Sequence, residues 1–195
     1  MKKIEQNKIR KRQNILRSAE QVFLSEGYVR ANMDRIADGA GVTKQTVYRY
    51  FPSKIVLFEQ TLRSMSEGGG TDFFHHLENL DIAAGLCGFA VDYIHIHIRD
   101  VHLQTMRLLI AEGGQAPEIT STFAAMWPQQ TKDGLVAYFT DKLGVDEPEQ
   151  AARMWTGMLL VHRNNMLMGH PRPTDQEILD HATAATDLLL NGIHK

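Results

Sequence analysis

The chain has 195 residues, of which 43% are hydrophobic, so it is long enough to bury one large core or two small ones. The first residues are charged and lack an apolar stretch, and no later segment approaches roughly eighteen uncharged apolar residues. The sequence therefore predicts a cytoplasmic protein that does not contact a membrane. A single cysteine excludes an internal disulfide.

Positive charge is concentrated in the N-terminal quarter of the chain. Residues 1–54 contain twelve Lys and Arg against five Asp and Glu, a net charge of +7, whereas residues 55–195 carry a net charge of −9. A basic segment joined to an acidic body is typical of a small domain that meets phosphate while the rest has another role. A basic face that contacts only solvent is the alternative.

Four helices are predicted in the N-terminal third, over about residues 8–26, 33–40, 44–50 and 54–66. The first has an apolar stripe at helical spacing, made of Ile15, Ala19, Val22 and Phe23. Gly27 ends this helix, and Asn32, Thr43 and Ser53 have the side chains of N-caps for the next three.

Five more helices are predicted after the glycines at 68–70, over about residues 81–98, 101–112, 117–142, 146–168 and 174–190. Asp81 and Asp146 are the expected caps of two of them, and Thr174 with Glu177 has the spacing of a capping box. No segment alternates like a β-strand. The sequence predicts an all-α protein, with a DNA-binding domain of three helices at 1–54 and a larger helical ligand-binding and dimerisation domain at 55–195.

The second and third helices carry the spacing of a helix-turn-helix. Ala37, Gly41 and Val47 supply a small residue where two helices meet, a glycine for the tight turn and a branched residue that locks the second helix onto the first. With Val47 inward, the remaining side chains of the third helix face outward: Lys44, Gln45, Thr46, Tyr48, Arg49 and Tyr50. A DNA major groove accepts such a helix.

Each outward side chain has a plausible role on double-stranded DNA. Gln45 suits adenine and Lys44 suits guanine, whereas Thr46, Tyr48 and Tyr50 suit phosphate oxygens. Lys54, at the start of the following helix, could hold a phosphate together with backbone amides. Any one of these side chains could be an ordinary solvated residue. Their occurrence together in a segment of charge +7 favours DNA binding.

The run GYVRANMDRIADGAGVTKQTVYRYFPSKIVLF resembles the N-terminal signature of TetR-family transcriptional regulators, and the resemblance covers about residues 10–58. It implies a ligand-responsive regulator, more often a repressor, that binds a palindromic operator as a homodimer. It also implies DNA contacts from Thr43, Lys44, Gln45, Thr46, Tyr48, Tyr50 and Lys54.

Two positions depart from the common pattern of that family. Ala31 and Asn32 stand where many members have two hydroxyl residues, so one phosphate-binding hydroxyl is lost although the cap remains. Asp34 places an acid near the DNA. Arg30 and Arg35 are the nearby residues expected to compensate.

The segment MRLLIAEGGQAPEITSTFAAMW resembles the C-terminal domain of AefR-like members, which implies dimerisation through the last two helices. The apolar stripes of those helices fit a dimer interface, with the core of one subunit as the alternative. The expected interface residues are Met154, Trp155, Met158, Leu159, His162, Ile178, Ala182, Ala185 and Leu189.

An aromatic and methionine-rich set in the middle helices suits a pocket for a small apolar or amphipathic effector, whose identity the sequence does not give. Plain core packing is the alternative. The set comprises Phe89, Tyr93, Met106, Ile110, Phe123, Met126, Trp127 and Tyr138.

Histidines near residues 95–102 raise a different possibility, a helical metal- or small-molecule-binding protein whose basic end serves another partner. His95, His97 and His102 lie near Asp92 and Asp100, but residues two apart point to different sides of a helix. We therefore predict no metal and no cofactor. Because the chain has no phosphate-binding glycine loop and no nucleophile signature, we also predict that it is not an enzyme.

Overall fold

The computed structural model describes residues 2–66, 72–126 and 129–192, which form α-helices, one 3₁₀ helix and no β-strand. The α-helices are α1 Lys2–Glu26, α2 Met33–Gly39, α3 Lys44–Tyr50, α4 Lys54–Ser66, α5 Ile82–His97, α6 Asp100–Glu112, α7 Pro117–Met126, α8 Gln129–Leu143, α9 Pro148–Leu159, α10 Val161–Leu167 and α11 Asp175–Gly192. The 3₁₀ helix is Asp72–Glu78. The all-α prediction is confirmed. None of the described helices is long and apolar enough to span a bilayer.

Contacts divide the chain into two compact units. The first unit comprises Met1–Gly69 with Gln104–Trp127, and the second comprises Gly70–Leu103 with Pro128–Lys195. This division does not follow chain order, because the N-terminal helices pack with a later segment. The predicted boundary between residues 54 and 55 concerns functional domains and stays a prediction.

The core of the first unit forms between α1 and α4, which contact each other along the predicted stripe of α1. Ile15 and Ala19 are fully buried, and the ring of Phe23 meets the ring of Phe58 edge to face at 5.2 Å. Such aromatic pairs add about 1 kcal/mol to the burial of their area. The core thus provides a rigid base for α2 and α3.

Side-chain caps determine where α2 and α3 begin. The side chain of Asn32 accepts a hydrogen bond from the amide of Asp34, and Thr43 Oγ1 accepts one from the amide of Thr46 at 3.2 Å, so both predicted caps are confirmed. Gly41 has a φ of +65° in the turn between the helices, a conformation that favours glycine. Val47 is fully buried, as predicted.

The second unit has a core of aromatic and aliphatic side chains from α5, α8, α9 and α11. Phe89 stacks on Tyr93 at a ring separation of 5.9 Å and on the fully buried Trp155 at 5.5 Å. The predicted capping box of α11 is confirmed, since the amide of Thr174 donates to Glu177 Oε2 at 2.7 Å and the amide of Glu177 donates back to Thr174 Oγ1 at 3.3 Å.

Two helix predictions need correction, and a third falls partly outside the described residues. The helix predicted at 117–142 is described as α7 and α8, which belong to different units, with residues 127 and 128 outside the described ranges. The helix predicted at 146–168 is two helices that meet at Leu160, and it begins at Pro148 because proline suits a first helical turn. The first helix begins at Lys2, earlier than predicted, because its first turns are exposed and leave no apolar stripe.

His97 is buried in the second unit, and His102 is half-buried beside it. Nδ1 of His97 lies 2.7 Å from the carbonyl oxygen of Tyr93, and because a carbonyl only accepts, this nitrogen carries the proton. The His97 and His102 rings meet at 4.8 Å. Burial lowers the pKa of His97 to about 3 and that of His102 to about 4, with the Arg163 guanidinium acting in the same direction on both.

These two depressed pKa values predict acid sensitivity. Between about pH 6.5 and 4 an unfolded chain protonates both histidines and the folded chain does not, so stability is full above pH 6.5 and falls as the pH drops. The loss is about 1.4 kcal/mol per pH unit for each histidine. Urea unfolding at pH 7 and pH 5, at one protein concentration, measures it.

His97→Gln and His102→Gln should each reduce the difference in unfolding free energy between these two pH values. His170→Gln, at an exposed histidine, serves as the matched control and should leave the difference unchanged. An equal pH dependence in all four proteins would contradict this assignment.

Candidate functional sites

The exposed face of α3 brings together the side chains predicted to contact DNA. We call this the recognition surface: Lys44, Gln45, Thr46, Tyr48, Arg49 and Tyr50. Lys44, Gln45, Tyr48 and Arg49 are exposed, and Thr46 and Tyr50 are half-buried. Thr43 caps the helix, and its Oγ1 lies 3.0 Å from Thr46 Oγ1. The DNA contacts of these residues stay a prediction.

Lys44 is paired with an acid on the neighbouring helix. Its Nζ donates to Asp34 Oδ2 at 2.9 Å, and this hydrogen bond together with the negative charge raises the pKa of Lys44. Both side chains are about half exposed, so water screens the pair. Asp34, which departs from the family pattern, therefore holds a predicted DNA-contacting lysine in the free protein.

The other predicted basic residues of the first unit also contact protein groups. Lys54 Nζ donates to the carbonyl oxygens of Val29 and Ala31 at 2.9 and 3.1 Å and lies over the Tyr28 ring. Burial lowers the pKa of Lys54.

Both predicted arginines of this region contact Glu26. Arg30 Nε donates to the Glu26 carbonyl oxygen, and Arg35 pairs with the Glu26 carboxylate at 2.7 Å. Their predicted roles on DNA stay predictions.

A groove beside the recognition surface contains basic residues that the sequence reasoning did not select. This groove of about 530 Å³ is lined by Ile4, Asn7, Lys8 and Lys11 of α1 and by Arg49 and Tyr50 of α3. Lys8 and Lys11 are exposed. The charge of the first 54 residues was the available signal, but only the fold shows that the start of α1 lies beside the end of α3.

The predicted effector-pocket residues are divided between the units. In the second unit Phe89 and Tyr93 are buried, and the half-buried Tyr138 has a buried hydroxyl with no hydrogen-bond partner among the described residues. In the first unit Met106 is buried, Phe123 is half-buried and Ile110 is 72% exposed. Trp127 and the side chain of Met126 lie outside the described residues. A common pocket stays a prediction.

Most of the predicted dimer residues fill the core of the second unit, which is the alternative that the sequence left open. The six buried side chains are Trp155, Leu159, Ile178, Ala182, Ala185 and Leu189. Because they are buried within one protomer, they have no surface to offer a partner. Met158 and His162 are half-buried, and Met154 is 63% exposed.

Three residues of the metal hypothesis, Asp92, Asp100 and His95, lie near separate partners. Asp92 pairs with His76 at 2.9 Å, Asp100 with Arg172 at 2.6 Å, and His95 Nε2 lies 3.9 Å from Asp175. Within the part of the chain that the structure describes, no group of three or more His, Cys, Asp or Glu side chains is arranged to hold a metal ion.

Two family models match the chain, one in its N-terminal part and one in its C-terminal part. Residues 15–61 match the model for the N-terminal domain of bacterial regulatory proteins of the tetR family. Residues 84–192 match the model for the C-terminal domain of AefR-like transcriptional repressors.

Two curated relatives match about a third of the chain or less. The HTH-type transcriptional activator FasR of Mycolicibacterium smegmatis is 43% identical over 53 residues, which is 27% of this chain and 24% of FasR. The HTH-type transcriptional regulator TtgW of Pseudomonas putida is 37% identical over 62 residues, 32% of this chain and 46% of TtgW. The matched region therefore spans less than half the length of either protein.

Solved structures match over nearly the whole chain. A TetR-family transcriptional regulator from Mesorhizobium loti has a TM-score of 0.78 and 26% identity, covering 94% of this chain and 96% of that one. The flavonoid-responsive regulator FrrA gives the same TM-score, identity and coverage.

Proposed function

The chain belongs to the TetR family of DNA-binding transcriptional regulators, and from this premise we propose that it is a repressor that binds a palindromic operator as a homodimer and releases it when a small-molecule effector binds. The observation that carries the proposal is the recognition surface, a helix whose capped start and buried Val47 turn its donor side chains outward.

The recognition surface meets the demands of a major groove. The N-terminal residues Lys44 and Gln45 have the donors and acceptors that discriminate base edges, and Tyr48 and Tyr50 lie one to two turns further on, where phosphates line the groove. Since Lys44 is already paired with Asp34, its transfer to DNA exchanges one partner for another. We infer that base contacts from this pair of residues carry most of the sequence specificity.

The groove beside α3 extends the same surface toward the DNA backbone. Lys8 and Lys11 line it together with Arg49, so three cations surround one concave surface. Phosphate contacts of this kind contribute affinity without sequence preference and weaken with salt. We infer that Lys8 and Lys11 of α1 each contact a phosphate that flanks the bases read by α3.

A homodimer supplies the second recognition helix. Two half-sites on successive major grooves require helices about 34–36 Å apart, a distance that one copy of α3 does not span. Most residues of the apolar stripes of α9 and α11 are buried in the protomer core. The exposed apolar residues of these helices are therefore the better candidates for the interface. Met154 of α9 is 63% exposed and Leu188 of α11 is 66% exposed.

Release by an effector follows from population shift. An effector that binds one arrangement of the dimer more tightly than the other draws the protein into that arrangement. When the recognition helices no longer match successive grooves, affinity for the operator falls. The interior polar groups of the second unit support a ligand there.

Removal of two donors should weaken specific binding. The Lys44→Ala plus Tyr48→Ala variant loses one base contact and one phosphate contact, so we expect operator affinity to fall on the order of 100-fold while the dimer remains. Fluorescence anisotropy of a labelled operator, chosen by selection from random sequences, measures the affinity.

Lys142→Ala, at an exposed lysine of the second unit, controls for loss of charge. Asp34→Asn removes the acid that holds Lys44 and should bind DNA at least as tightly as the unaltered protein. Normal operator affinity in the Lys44 and Tyr48 double variant would refute the residue assignment.

The phosphate role of α1 predicts a change in salt dependence. Lys8→Ala plus Lys11→Ala should reduce the slope of log affinity against log salt by about 2, because each lost phosphate contact reduces it by about 0.9. Anisotropy titrations between 50 and 200 mM salt, about the range over which such contacts weaken, measure the slope.

The matched variant with arginine at both positions keeps the charge and should keep the slope. An unchanged slope in the alanine variant would show that these lysines do not contact the phosphates of DNA.

Negative charge at the proposed interface should produce monomers. Met154→Asp plus Leu188→Asp places two carboxylates where apolar side chains would meet a partner, and burying them costs several kcal/mol. Sedimentation velocity gives the oligomeric state. Leu80→Asp, at a fully exposed leucine of the same unit, is the control, and a double variant that remains dimeric would rule out this interface.

A further inference from the structure

Arg163 of α10 has a charged side chain that is partly removed from water. Its Nε and Nη2 both donate to the same neutral acceptor, Asn164 Oδ1, at 3.2 and 3.0 Å. No carboxylate of the described residues lies within ion-pair distance of it, and burial lowers the pKa of Arg163. The guanidinium is therefore a partly buried cation without an opposite charge.

The groups around this cation are neutral and polar. Tyr93, His97 and His102 each interact electrostatically with the Arg163 guanidinium, and α10 contacts α5, the helix that carries Tyr93 and His97. The Tyr93 and His97 rings lie 4.1 Å apart and the His97 and His102 rings 4.8 Å apart. Nε2 of His102 is buried and has no hydrogen-bond partner among the described residues.

A cation and an unsatisfied nitrogen together indicate a missing anion. Keeping a charge partly buried costs free energy unless an opposite charge or several hydrogen bonds compensate it. A buried polar atom without a partner carries its own desolvation cost, and such atoms in native proteins point to an unseen water, ion or ligand. A single anion that reaches both Arg163 and His102 would satisfy both groups.

We propose that Arg163 and His102 bind the carboxylate of an amphipathic organic acid, and that this acid is the effector of the regulator. The inference rests on the proposed effector-controlled function and names the chemical class of the ligand.

The charge of the site favours a monocarboxylate. With both histidines neutral, Arg163 supplies one positive charge, so a doubly charged phosphate would leave one negative charge uncompensated. A guanidinium donates two parallel hydrogen bonds to a carboxylate, and neutral His102 supplies a third from Nε2–H in the tautomer that carries its proton there. Repulsion from Arg163 excludes a metal cation.

The surroundings also select a ligand with an apolar body. The Tyr93 ring, which lies beside His97, stacks on Phe89, and Phe89 stacks on Trp155. These rings are buried in the core of the second unit, so a ligand whose aromatic or aliphatic carbon packs among them would gain more than a small hydrophilic acid.

Thermal unfolding of the full chain without DNA tests the site. The probes are benzoate, octanoate and decanoate, each compared with its amide, which has the same carbon body and no charge. At least one acid should raise the unfolding temperature, whereas its amide should not. Arg163→Gln should weaken binding of that acid by about 10- to 100-fold, as expected for the loss of a charged hydrogen bond.

Two further comparisons separate a binding role from a structural one. Arg163→Gln without ligand should be as stable as the unaltered protein or more stable, because it removes an uncompensated charge. Arg153→Gln removes the same charge from an exposed position of the same unit and should keep the full response to the acid.

Three results would overturn the proposal: no acid stabilises the protein, an amide stabilises it as strongly as the acid, or Arg163→Gln keeps the response. Anisotropy with labelled operator, recorded separately with and without the acid, tests the regulatory function. Acid binding that needs Arg163 but does not alter DNA binding would retain the site and reject its regulatory role.

Discussion

Burial of Val47 determines which side chains of α3 face outward. A seven-residue helix has little stability of its own, so α3 depends on its cap, its contacts with α2 and the one residue that it buries completely. The turn before it needs the positive φ of Gly41. Because these constraints fix the rotation of α3 about its axis, its donor side chains point away from the core. The chemistry of the recognition surface is thus a consequence of packing on its opposite side.

The two units use their interiors differently. In the first, the rings of Phe23, Tyr28 and Phe58 meet in an apolar core that supports the short helices. In the second, aromatic packing is interrupted by polar groups, including buried nitrogens of His102 and Trp155 that have no hydrogen-bond partner among the described residues. A core that only supported a fold would gain stability if such groups were replaced by apolar ones. Their presence is understandable where a ligand supplies what the protein lacks.

The sequence predicted the features that depend on local chemistry. Caps at Asn32 and Thr43 and the capping box at Thr174 were readable because short-range hydrogen bonds dictate them. The buried position of Val47 followed from helical spacing. Helix type and order were also predicted, whereas the junction at Leu160 was not, since an apolar pattern continues through it.

Long-range arrangement was not accessible in the same way. An apolar stripe shows that a face is buried but not by what, so the residues of α9 and α11 suggested a dimer interface although they line a protomer core. Lys8 and Lys11 have no local signal that distinguishes them from other surface lysines, and only the packing of α1 brings them beside Arg49. The cluster around Arg163 joins residues that are between about sixty and seventy positions apart in the chain.

The ion pair between Lys44 and Asp34 also affects how the protein would search a genome. If Lys44 contacts DNA as proposed, it leaves Asp34 to do so, and a suitable base acceptor gives it an equivalent new partner. Under the proposed role, the carboxylate would compete with random DNA for Lys44. Residence on wrong sites would then be shorter, without any additional contact at the right one.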